Sequence, residues 1–507
     1  MLISVEAMVR RILQARVYEV ARETPLDFMT VLSRRLDHPV WLKREDLQQV
    51  FSFKLRGAYN KMSQLGPEQR AAGVICASAG NHAQGVALAA LRMGCRAVIV
   101  MPHTTPEIKI DSVRHRGAEV ILHGEQFDEA RLHAGMLAQE QGLTLVHPYD
   151  DWDVMAGQGT VAAELIRQAP QQLEAVFVPV GGGGLIGGMA PYIKYLRPEV
   201  RVIGVEAEDS ACLQAALQAG QPVTLSHVGL FADGVAVARI GERPWAMARQ
   251  CVDEVVTVPV DAMCAAIKDI FDDTRSIAEP SGALALAGLK RWVEMGKASG
   301  GALVAIDSGA NINFDRLRGI SERTEFTERR EAILVVTIPE RPGSFLAFCE
   351  VLGRRNITEF NYRFSNAADQ AHVFVGLQLR RGDQEREEII HALRQNGYEV
   401  LDVSGDELAT LHVRHLVGGQ AHLEDERLYR FEFPERPGAL LRFLQQIGSS
   451  FNISLFHYRN HGAPYGWVLM GVQLGGRSDS ELRQLLDQVG YSYQNESDHV
   501  LYQRFLR

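Results

Sequence analysis

The sequence lacks a long apolar run, a long basic run and a secretory signal. No stretch of 18 residues is both apolar and free of charge, so we expect no membrane-spanning helix and no membrane partner. The formal net charge of −9 argues against nucleic acid as a partner. The N-terminus has an early acidic residue, Glu6, and no apolar core behind a charged start, which predicts a chain without a signal peptide.

Cysteines are few and scattered, and none has the C-x-x-C spacing that is typical of metal and redox sites. The six are Cys76, Cys95, Cys212, Cys251, Cys264 and Cys349. Most have apolar neighbours, which predicts reduced core residues in a cytoplasmic protein. The length of 507 residues is too large for one hydrophobic core and predicts roughly two to four domains.

Lys54 is the first residue that indicates a specific chemistry. It lies in Ser-Phe-Lys-Leu-Arg-Gly-Ala (52–58), between Phe53 and Leu55 and just ahead of a helix-compatible run. Apolar neighbours disfavour the charged ammonium form, so they lower its pKa and leave a neutral, nucleophilic amine. That amine suits a lysine that forms Schiff bases. A lone lysine in such a segment is more often an ordinary surface residue.

A second motif, Ser-Ala-Gly-Asn-His-Ala-Gln-Gly (78–85), lies between a short apolar run and an alanine-rich stretch. A strand that ends where a helix begins exposes backbone N–H groups, which can receive a carboxylate. The motif therefore predicts an anion site, in which Asn81 offers its amide to a ring hydroxyl. An ordinary Ser/Asn helix cap is the alternative.

A third motif consists of four glycines, Gly181–Gly184, between a β-rich run and a helical stretch. Glycines let the backbone fold tightly around an anion, and the following helix directs its positive end at it, which predicts a phosphate site. The same tract also satisfies G-x-G-x-x-G, and Glu206 lies 19 residues after Gly187, as in dinucleotide sites. Dinucleotide binding would leave Lys54 and the 78–85 motif unexplained.

A reactive lysine, a carboxylate site and a phosphate site are together what a pyridoxal-phosphate enzyme acting on an amino acid needs. With Ser-Gly-Ala-Asn (308–311), the motifs have the order and spacing of the fold type II pyridoxal-phosphate family, which the chain resembles over nearly its whole length. Within that family it is similar to the long biosynthetic threonine ammonia-lyases (threonine deaminases). The resemblance implies an α/β fold: a two-lobed, mostly parallel-sheet catalytic domain and a tandem α+β, ferredoxin-like (ACT-like) regulatory domain.

The resemblance also implies roles for individual residues, with pyridoxal 5'-phosphate as the cofactor and no metal. Lys54 is the catalytic residue. The cofactor-binding residues are Lys54, Phe53, Asn81, Gly181, Gly182, Gly183, Gly184, Leu185, Glu279 and Ser308. The substrate-binding residues are Ser78, Ala79, Gly80, Asn81 and His82. Three of these have ordinary alternatives: Ser308 as a turn residue, Glu279 as a solvated glutamate at a helix start, and His82 as a structural histidine.

The expected reaction is the dehydration and deamination of L-threonine, and more weakly of L-serine, to a keto acid and ammonia. From threonine the keto acid is 2-oxobutanoate, the first product of isoleucine biosynthesis. Serine dehydratase, serine racemase and threonine synthase are rivals within the family, although the short forms lack a C-terminal repeat. A non-catalytic amino-acid sensor is a rival of another class. Lys54 and the unbroken glycine tract disfavour it.

The chain changes character after Asn313, where the alternation of strands and helices stops and a charged segment follows. We predict a catalytic domain over 1–325, because this alternation is typical of βαβ units. The resemblance implies that its smaller lobe lies over roughly 50–150. Pro-Glu-Arg-Pro-Gly (339–343) then returns 95 residues later at 434–438, within two predicted βαββαβ repeats over 332–404 and 427–498.

The repeats are predicted to regulate the enzyme. Each Pro-Gly turn opens a helix whose N-terminus can receive the carboxylate of an effector. Phe345 and Leu440, just beyond the two turns, are the residues predicted to contact the effector side chain. The resemblance implies inhibition by isoleucine, relief by valine and a homotetramer. A purely structural or oligomerisation module is the alternative.

Overall fold

The computed structural model describes residues 3–314, 316–327, 331–363, 370–406, 409, 423, 425–434, 439–447, 451–459, 465–499 and 502. Their contacts divide the chain into two compact units, Met1–Thr324 and Glu325–Arg507. Within this described part, no helix is both long and apolar enough to cross a membrane. All six cysteines are unpaired, and five of them are buried.

The first unit alternates strands and helices. Its strands are β1 (Leu26–Phe28), β2 (Val40–Arg44), β3 (Val74–Ala77), β4 (Ala97–Met101), β5 (Glu119–Leu122), β6 (Thr144–Leu145), β7 (Leu173–Pro179), β8 (Arg201–Ala207), β9 (Glu254–Val258) and β10 (Ala302–Asp307). Its helices are α1 (Val5–Leu13), α2 (Thr30–Leu36), α3 (Lys54–Ser63), α4 (Pro67–Ala72), α5 (Asn81–Met93), α6 (Glu107–Arg114), α7 (Phe127–Gln141), α8 (Trp152–Gln168), α9 (Gly184–Leu196), α10 (Cys212–Ala219), α11 (Glu242–Cys251), α12 (Val260–Thr274) and α13 (Pro280–Glu294), and α14 (Arg316–Thr327) follows.

Two sheets lie in this unit. The larger has the order β1-β2-β10-β7-β8-β9, and only the β1–β2 pair is antiparallel. The smaller has the order β5-β4-β3-β6 and is parallel throughout. Strand β4 is Ala-Val-Ile-Val-Met and fully buried, as expected for a parallel strand covered by helices on both faces. The predicted α/β, mostly parallel architecture is therefore confirmed.

The helices at the three motifs begin earlier than the sequence predicted. Helices α3, α5 and α9 begin at Lys54, Asn81 and Gly184, inside the motifs. Asparagine and glycine are weak helix formers in a helix interior but suit a helix start, where the first backbone N–H groups have no intrahelical partner. The motifs therefore coincide with the anion-binding ends of the helices.

The second unit is one antiparallel sheet with helices. Its strands are β11 (Glu331–Pro339), β12 (Ile357–Arg363), β13 (Gln370–Gln378), β14 (Glu399–Asp402), β15 (Glu426–Pro434), β16 (Asn452–Arg459), β17 (Tyr465–Gln473) and β18 (Tyr493–Asn495). Its helices are α15 (Ser344–Leu352), α16 (Asp383–Gln395), α17 (Ala439–Ile447) and α18 (Asp479–Val489).

The order β14-β11-β13-β12-β16-β17-β15-β18 contains two ferredoxin-like repeats side by side. They join through the antiparallel pair β12–β16, where Tyr362 lies opposite Phe456. The ring of Phe345 on α15 packs against both of these residues and against Phe360. The repeats thus share one continuous sheet and an aromatic core. The second Pro-Gly turn, at 435–438, lies outside the described residues.

Candidate active site

Lys54 is the first residue of α3 and is half-buried. Its Nζ donates a hydrogen bond to the carbonyl of Pro148 at 3.2 Å and lies 5.3 Å from the centre of the Phe53 ring. Burial of the amine lowers the pKa of Lys54 to about 8, against an opposing effect of the nearby carboxylate of Glu279. A substantial fraction of this amine is therefore neutral near pH 8, as a nucleophile or proton acceptor requires.

The glycine tract lies beside the same segment that holds Lys54. Tyr149, next to Pro148, fills the space over Gly182 and Gly184, where a Cβ atom on either glycine would collide with it. A Cβ on Gly181 would approach the Cα of Val235 to 2.8 Å. The tract thus has no room for side chains and presents bare backbone at the N-terminus of α9. This is the arrangement that receives a phosphate.

Gly183 makes the turn at the helix start. Its φ of 86° lies in the left-handed region, which glycine adopts without steric cost. Leu185, in the first turn of α9, is buried in the core. Its backbone N–H is among those at the helix start that lack an intrahelical partner.

Ser308 follows β10 and meets the backbone that carries Lys54. The carbonyl of Ser308 accepts a hydrogen bond from the backbone N–H of Phe53 at 3.2 Å, and Ser52 pairs with Gly309. The Ser308 hydroxyl is buried and donates to the carbonyl of Ser281 at 3.2 Å. Ser308 is therefore a fixed, neutral hydrogen-bonding group next to the lysine segment.

Glu279 is buried, so it is not the solvated glutamate that was the alternative. Its carboxylate accepts hydrogen bonds from the Asn81 amide at 2.7 Å, the Ser281 hydroxyl at 2.7 Å and the backbone N–H of Asn311 at 3.1 Å. The Asn311 side chain donates in turn to the Asn81 oxygen at 2.6 Å. Burial raises the pKa of Glu279. This network joins the 78–85 motif to the 308–311 motif.

The loop from Ser78 to Gly80 connects β3 to α5 and is half-buried. The backbone N–H of Gly80 donates to the Ser78 hydroxyl at 3.3 Å, and Ala79 lies between them. His82, in the first turn of α5, is buried, and its Nε2 donates to the carbonyl of Val146 at 2.8 Å. Burial lowers the pKa of His82 to about 3, so the ring is neutral. These features favour the structural alternative for His82.

Sequence reasoning missed three contributors to the site. Pro148 and Tyr149 lie outside every motif, and only the fold brings them to Lys54 and the glycines. Asn311 was part of a quoted motif but had no role assigned. Its position next to the Ser-Gly-Ala turn was the signal that could have identified it.

Glu206 argues against the dinucleotide interpretation of the glycine tract. Its carboxylate is buried and accepts hydrogen bonds from the backbone N–H groups of Leu213 and Gln214 at 2.7 and 2.8 Å. It therefore caps the start of α10 and does not present free acceptors to a ribose.

Comparison with known proteins agrees with this geometry. The family model of pyridoxal-phosphate-dependent enzymes matches residues 17–309, and the model of the C-terminal regulatory domain of threonine dehydratase matches 322–413 and 417–506. The biosynthetic L-threonine dehydratase IlvA of Escherichia coli K12 is 56% identical over 499 residues, which cover 98% of this chain and 96% of that protein. The chain belongs to the biosynthetic threonine dehydratase family.

More distant relatives and solved structures support this membership. The mitochondrial threonine dehydratase of Saccharomyces cerevisiae is 47% identical, with 98% of this chain and 89% of that protein covered. The structure of the processed form of threonine deaminase isoform 2 from Solanum lycopersicum matches with a TM-score of 0.62 and 49% identity, covering 63% of this chain and 93% of that one.

Membership of this family identifies the cofactor as pyridoxal phosphate. The residues present fit it. The bare glycine backbone suits its phosphate, the Lys54 amine suits its aldehyde, and the buried Ser308 hydroxyl is a neutral group that could exchange its bond to Ser281 for one to the ring.

Proposed function

We propose that this chain converts L-threonine to 2-oxobutanoate and ammonia, and L-serine more slowly, with Lys54 as the catalytic residue. The observation that carries the proposal is the Lys54 amine, whose pKa is lowered to about 8. It bonds to Pro148, whose neighbour Tyr149 covers the glycine tract, and lies near Glu279, which binds Asn81 of the 78–85 motif. The names of the relatives give the substrate, since each is called a threonine dehydratase or deaminase. In this role the enzyme supplies the first intermediate of isoleucine biosynthesis.

Bound pyridoxal phosphate supplies the electron sink that stabilises negative charge at the substrate α-carbon. Lys54 Nζ, when neutral, accepts the proton from that carbon and holds it close to the reaction centre. The backbone of Gly181–Gly184 and Leu185 binds the phosphate at the start of α9. The Phe53 ring lies beside the amine and limits access of water to it.

In this proposal the Ser308 hydroxyl exchanges its bond to the Ser281 carbonyl for a neutral hydrogen bond to the ring nitrogen. A hydroxyl does not hold a proton on that nitrogen as a carboxylate does, so less negative charge moves into the ring and elimination is favoured over transamination. Asn81 offers its amide to the ring hydroxyl, and Glu279 keeps that amide oriented through their 2.7 Å hydrogen bond.

The backbone of the Ser78–His82 loop receives the substrate carboxylate at the start of α5. Neutral His82 anchors this loop through its bond to Val146 and does not act as the general acid.

Isoleucine is the proposed inhibitor and valine the activator that relieves it, and both act on the second unit. A cavity of about 20 Å³ lies next to the first Pro-Gly turn, enough for about one water molecule. Both repeats line it, with Glu340, Phe345 and Tyr362 from the first and Leu444 and Phe451 from the second. A carboxylate beside aromatic and aliphatic groups suits the ammonium and the side chain of an apolar amino acid.

The cavity holds about one water molecule and is partly open to solvent, so we expect isoleucine binding to widen it. Phe345 and Leu440, the residues predicted for effector binding, are buried in the shared core, and Leu444, one turn after Leu440, lines the cavity. Inhibition then requires isoleucine to stabilise the opened arrangement relative to the closed one, which couples the repeats to activity. The domain boundaries at 1–325, 332–404 and 427–498, a homotetramer and a cytoplasmic location complete the proposal.

A keto-acid assay on the full-length protein tests the function. L-Threonine should give 2-oxobutanoate faster than L-serine gives pyruvate, and isoleucine should inhibit the reaction unless valine is added. The value of kcat should rise with pH and level off above about 8, because Lys54 accepts the proton within the enzyme–substrate complex and only as the neutral amine. Absence of keto acid from both substrates in the yellow, cofactor-loaded protein would refute the proposed reaction.

A further inference from the structure

The first turn of α3 is held by side chains that the proposed chemistry does not use. Arg56 lies two residues after Lys54 and is fully buried. Its guanidinium donates to both carboxylate oxygens of Glu45 at 2.8 Å each and to those of Glu164 at 2.6 and 2.9 Å. It also donates to the Thr160 hydroxyl at 3.0 Å. Two bidentate carboxylates fix a guanidinium in both position and orientation.

Lys43 completes a buried set of four charges. Its amine donates to Glu164 at 2.8 Å and to the carbonyl of Thr24 at 2.6 Å. The side chains of Lys43, Glu45, Arg56 and Glu164 are each 0% exposed, and two cations balance two carboxylates. Displacing any one of them leaves an uncompensated charge in the interior. The set therefore ties α3 rigidly to β2, to the turn after β2 and to α8.

Glycines bring the neighbouring helices into direct contact with the backbone of α3. A Cβ on Gly157 of α8 would approach the Arg56 carbonyl oxygen to 2.5 Å and the Cα of Gly57 to 2.7 Å. On the α5 side, a Cβ on Gly85 would lie 3.1 Å from the backbone of Lys54 and Leu55. Both helices thus touch the lysine turn, and neither contact leaves room for a side chain.

We propose that the buried charge set around Arg56 and the glycine contacts of Gly157 and Gly85 form a clamp that positions Lys54 for proton transfer. Arg56, Gly57 and Gly85 belong to the motifs that identify the site, yet the proposed chemistry gives them no role. The clamp makes them positioning residues. This inference rests on the proposed role of Lys54.

The clamp has a chemical consequence because proton transfer depends steeply on distance. An error of about 1 Å in the placement of a reacting group can cost about a hundredfold in rate. Lys54 is at the end of its helix, where the backbone is otherwise free to fray. Contacts on both sides of that turn remove this freedom.

Gly157→Ala tests the clamp without altering any charge. The added methyl group should push α3 away from α8, so we expect kcat for L-threonine to fall about tenfold to a hundredfold while KM changes little. Gly135→Ala is the matched control, since a Cβ on Gly135 of α7 meets no atom within 4 Å. Unchanged kcat in a folded Gly157→Ala protein, or an equal loss in the control, would overturn the proposal.

The reactivity of the amine gives a second readout that does not depend on turnover. Competitive acetylation of the full-length protein, after removal of the cofactor, should show a changed labelling rate at Lys54 in Gly157→Ala and the wild-type rate in Gly135→Ala. If Gly157→Ala does not fold, the milder Gly85→Ala decides by the same two measurements. Wild-type kcat and labelling in Gly85→Ala would then overturn the clamp.

Two variants distinguish a failure of the clamp proposal from a failure of the proposed function. If Lys54→Ala retains turnover, the proposed role of Lys54 fails whatever Gly157→Ala does. If Lys54→Ala is inactive and Gly157→Ala is folded with wild-type kcat and labelling, only the clamp fails. Arg56→Lys, which loses the bidentate contacts but keeps the charge, should resemble Gly157→Ala in its ratio of kcat to KM effects.

Discussion

Gly183 and Gly343 make the same turn in the two units. Each precedes a helix, α9 or α15, with a φ of 86° or 88°. Around Gly183 the neighbours are glycines and the packed ring of Tyr149, so the turn offers only backbone. Next to Gly343 are Glu340 and Phe345, and the adjacent space is a small cavity that is partly open to solvent. The same backbone geometry thus suits a preformed anion site in one unit and an adjustable amino-acid site in the other.

The largest expected effect on activity is at Lys54, the proposed catalytic residue of the first unit. Lys54→Ala removes the amine that we propose binds the cofactor aldehyde and accepts the α-proton, so ammonia release should fall by several orders of magnitude. The variant should remain folded, because the clamp residues are unchanged. Ammonia release and circular dichroism measure the two properties. Near-normal turnover would disprove the assignment.

The second prediction tests whether the turn at Gly183 is a rigid phosphate-binding site. Gly182→Ala places a methyl group against the Tyr149 ring, so the backbone or the ring must move. We expect pyridoxal-phosphate affinity to fall about a hundredfold, since about 2.7 kcal/mol of binding energy is comparable with loss of one or two charge-assisted hydrogen bonds. Fluorescence titration of the cofactor-free protein measures this. The Gly135→Ala protein should bind as tightly as wild type.

Much of the fold and of the candidate site could be predicted from the sequence. The three motifs, Ser308 and the repeat predicted the family, the α/β architecture and the cofactor, because these signals are local in the chain. Glu279 was placed near the ring only through the resemblance. Its burial depends on Asn81 and Asn311, which lie far away in sequence.

The remainder depends on long-range packing that has no local signature. The charge set joins Lys43, Glu45 and Arg56 to Glu164, more than 100 residues further along the chain. The proposed effector cavity needs both repeats, since Tyr362 and Phe451 line it together. Sequence reasoning assigned each turn its own site because it treated the repeats separately. It could not anticipate that β12 and β16 pair into one sheet.

The third prediction tests the turn at Gly343, beside which we place the effector site. Both carboxylate oxygens of Glu340 accept from the Tyr362 hydroxyl, at 2.6 and 2.8 Å, and burial raises the pKa of Glu340. Glu340→Gln keeps the shape but removes the charge that would meet the effector ammonium. A charged hydrogen bond contributes about 1.5–3 kcal/mol, so the isoleucine concentration for half-inhibition should rise about tenfold or more.

Uninhibited turnover of the Glu340→Gln protein should be unchanged. Glu350→Gln, at an exposed position of α15, is the matched control and should keep the wild-type inhibition curve. If Glu340→Gln is also inhibited as wild type, the effector binds away from this turn.

The smallest effect on activity is expected at Glu206, which would bind a ribose if the turn at Gly183 held a dinucleotide. Glu206→Gln should leave turnover and cofactor affinity unchanged, because the carboxylate only caps α10. Its effect should appear in stability. Burial raises the pKa of Glu206 to about 7, above the value of about 4.3 in an unfolded chain.

The sign of the stability change with pH follows from this pKa. The folded state binds the Glu206 proton more tightly than the unfolded chain, so wild-type stability from this group falls as pH rises from about 4.3 to about 7. The amide of the variant does not titrate. The difference in thermal midpoint, variant minus wild type, should therefore increase between pH 5 and pH 8. A pH-independent difference, combined with weakened cofactor binding, would instead place Glu206 in the ligand site and revive the dinucleotide interpretation.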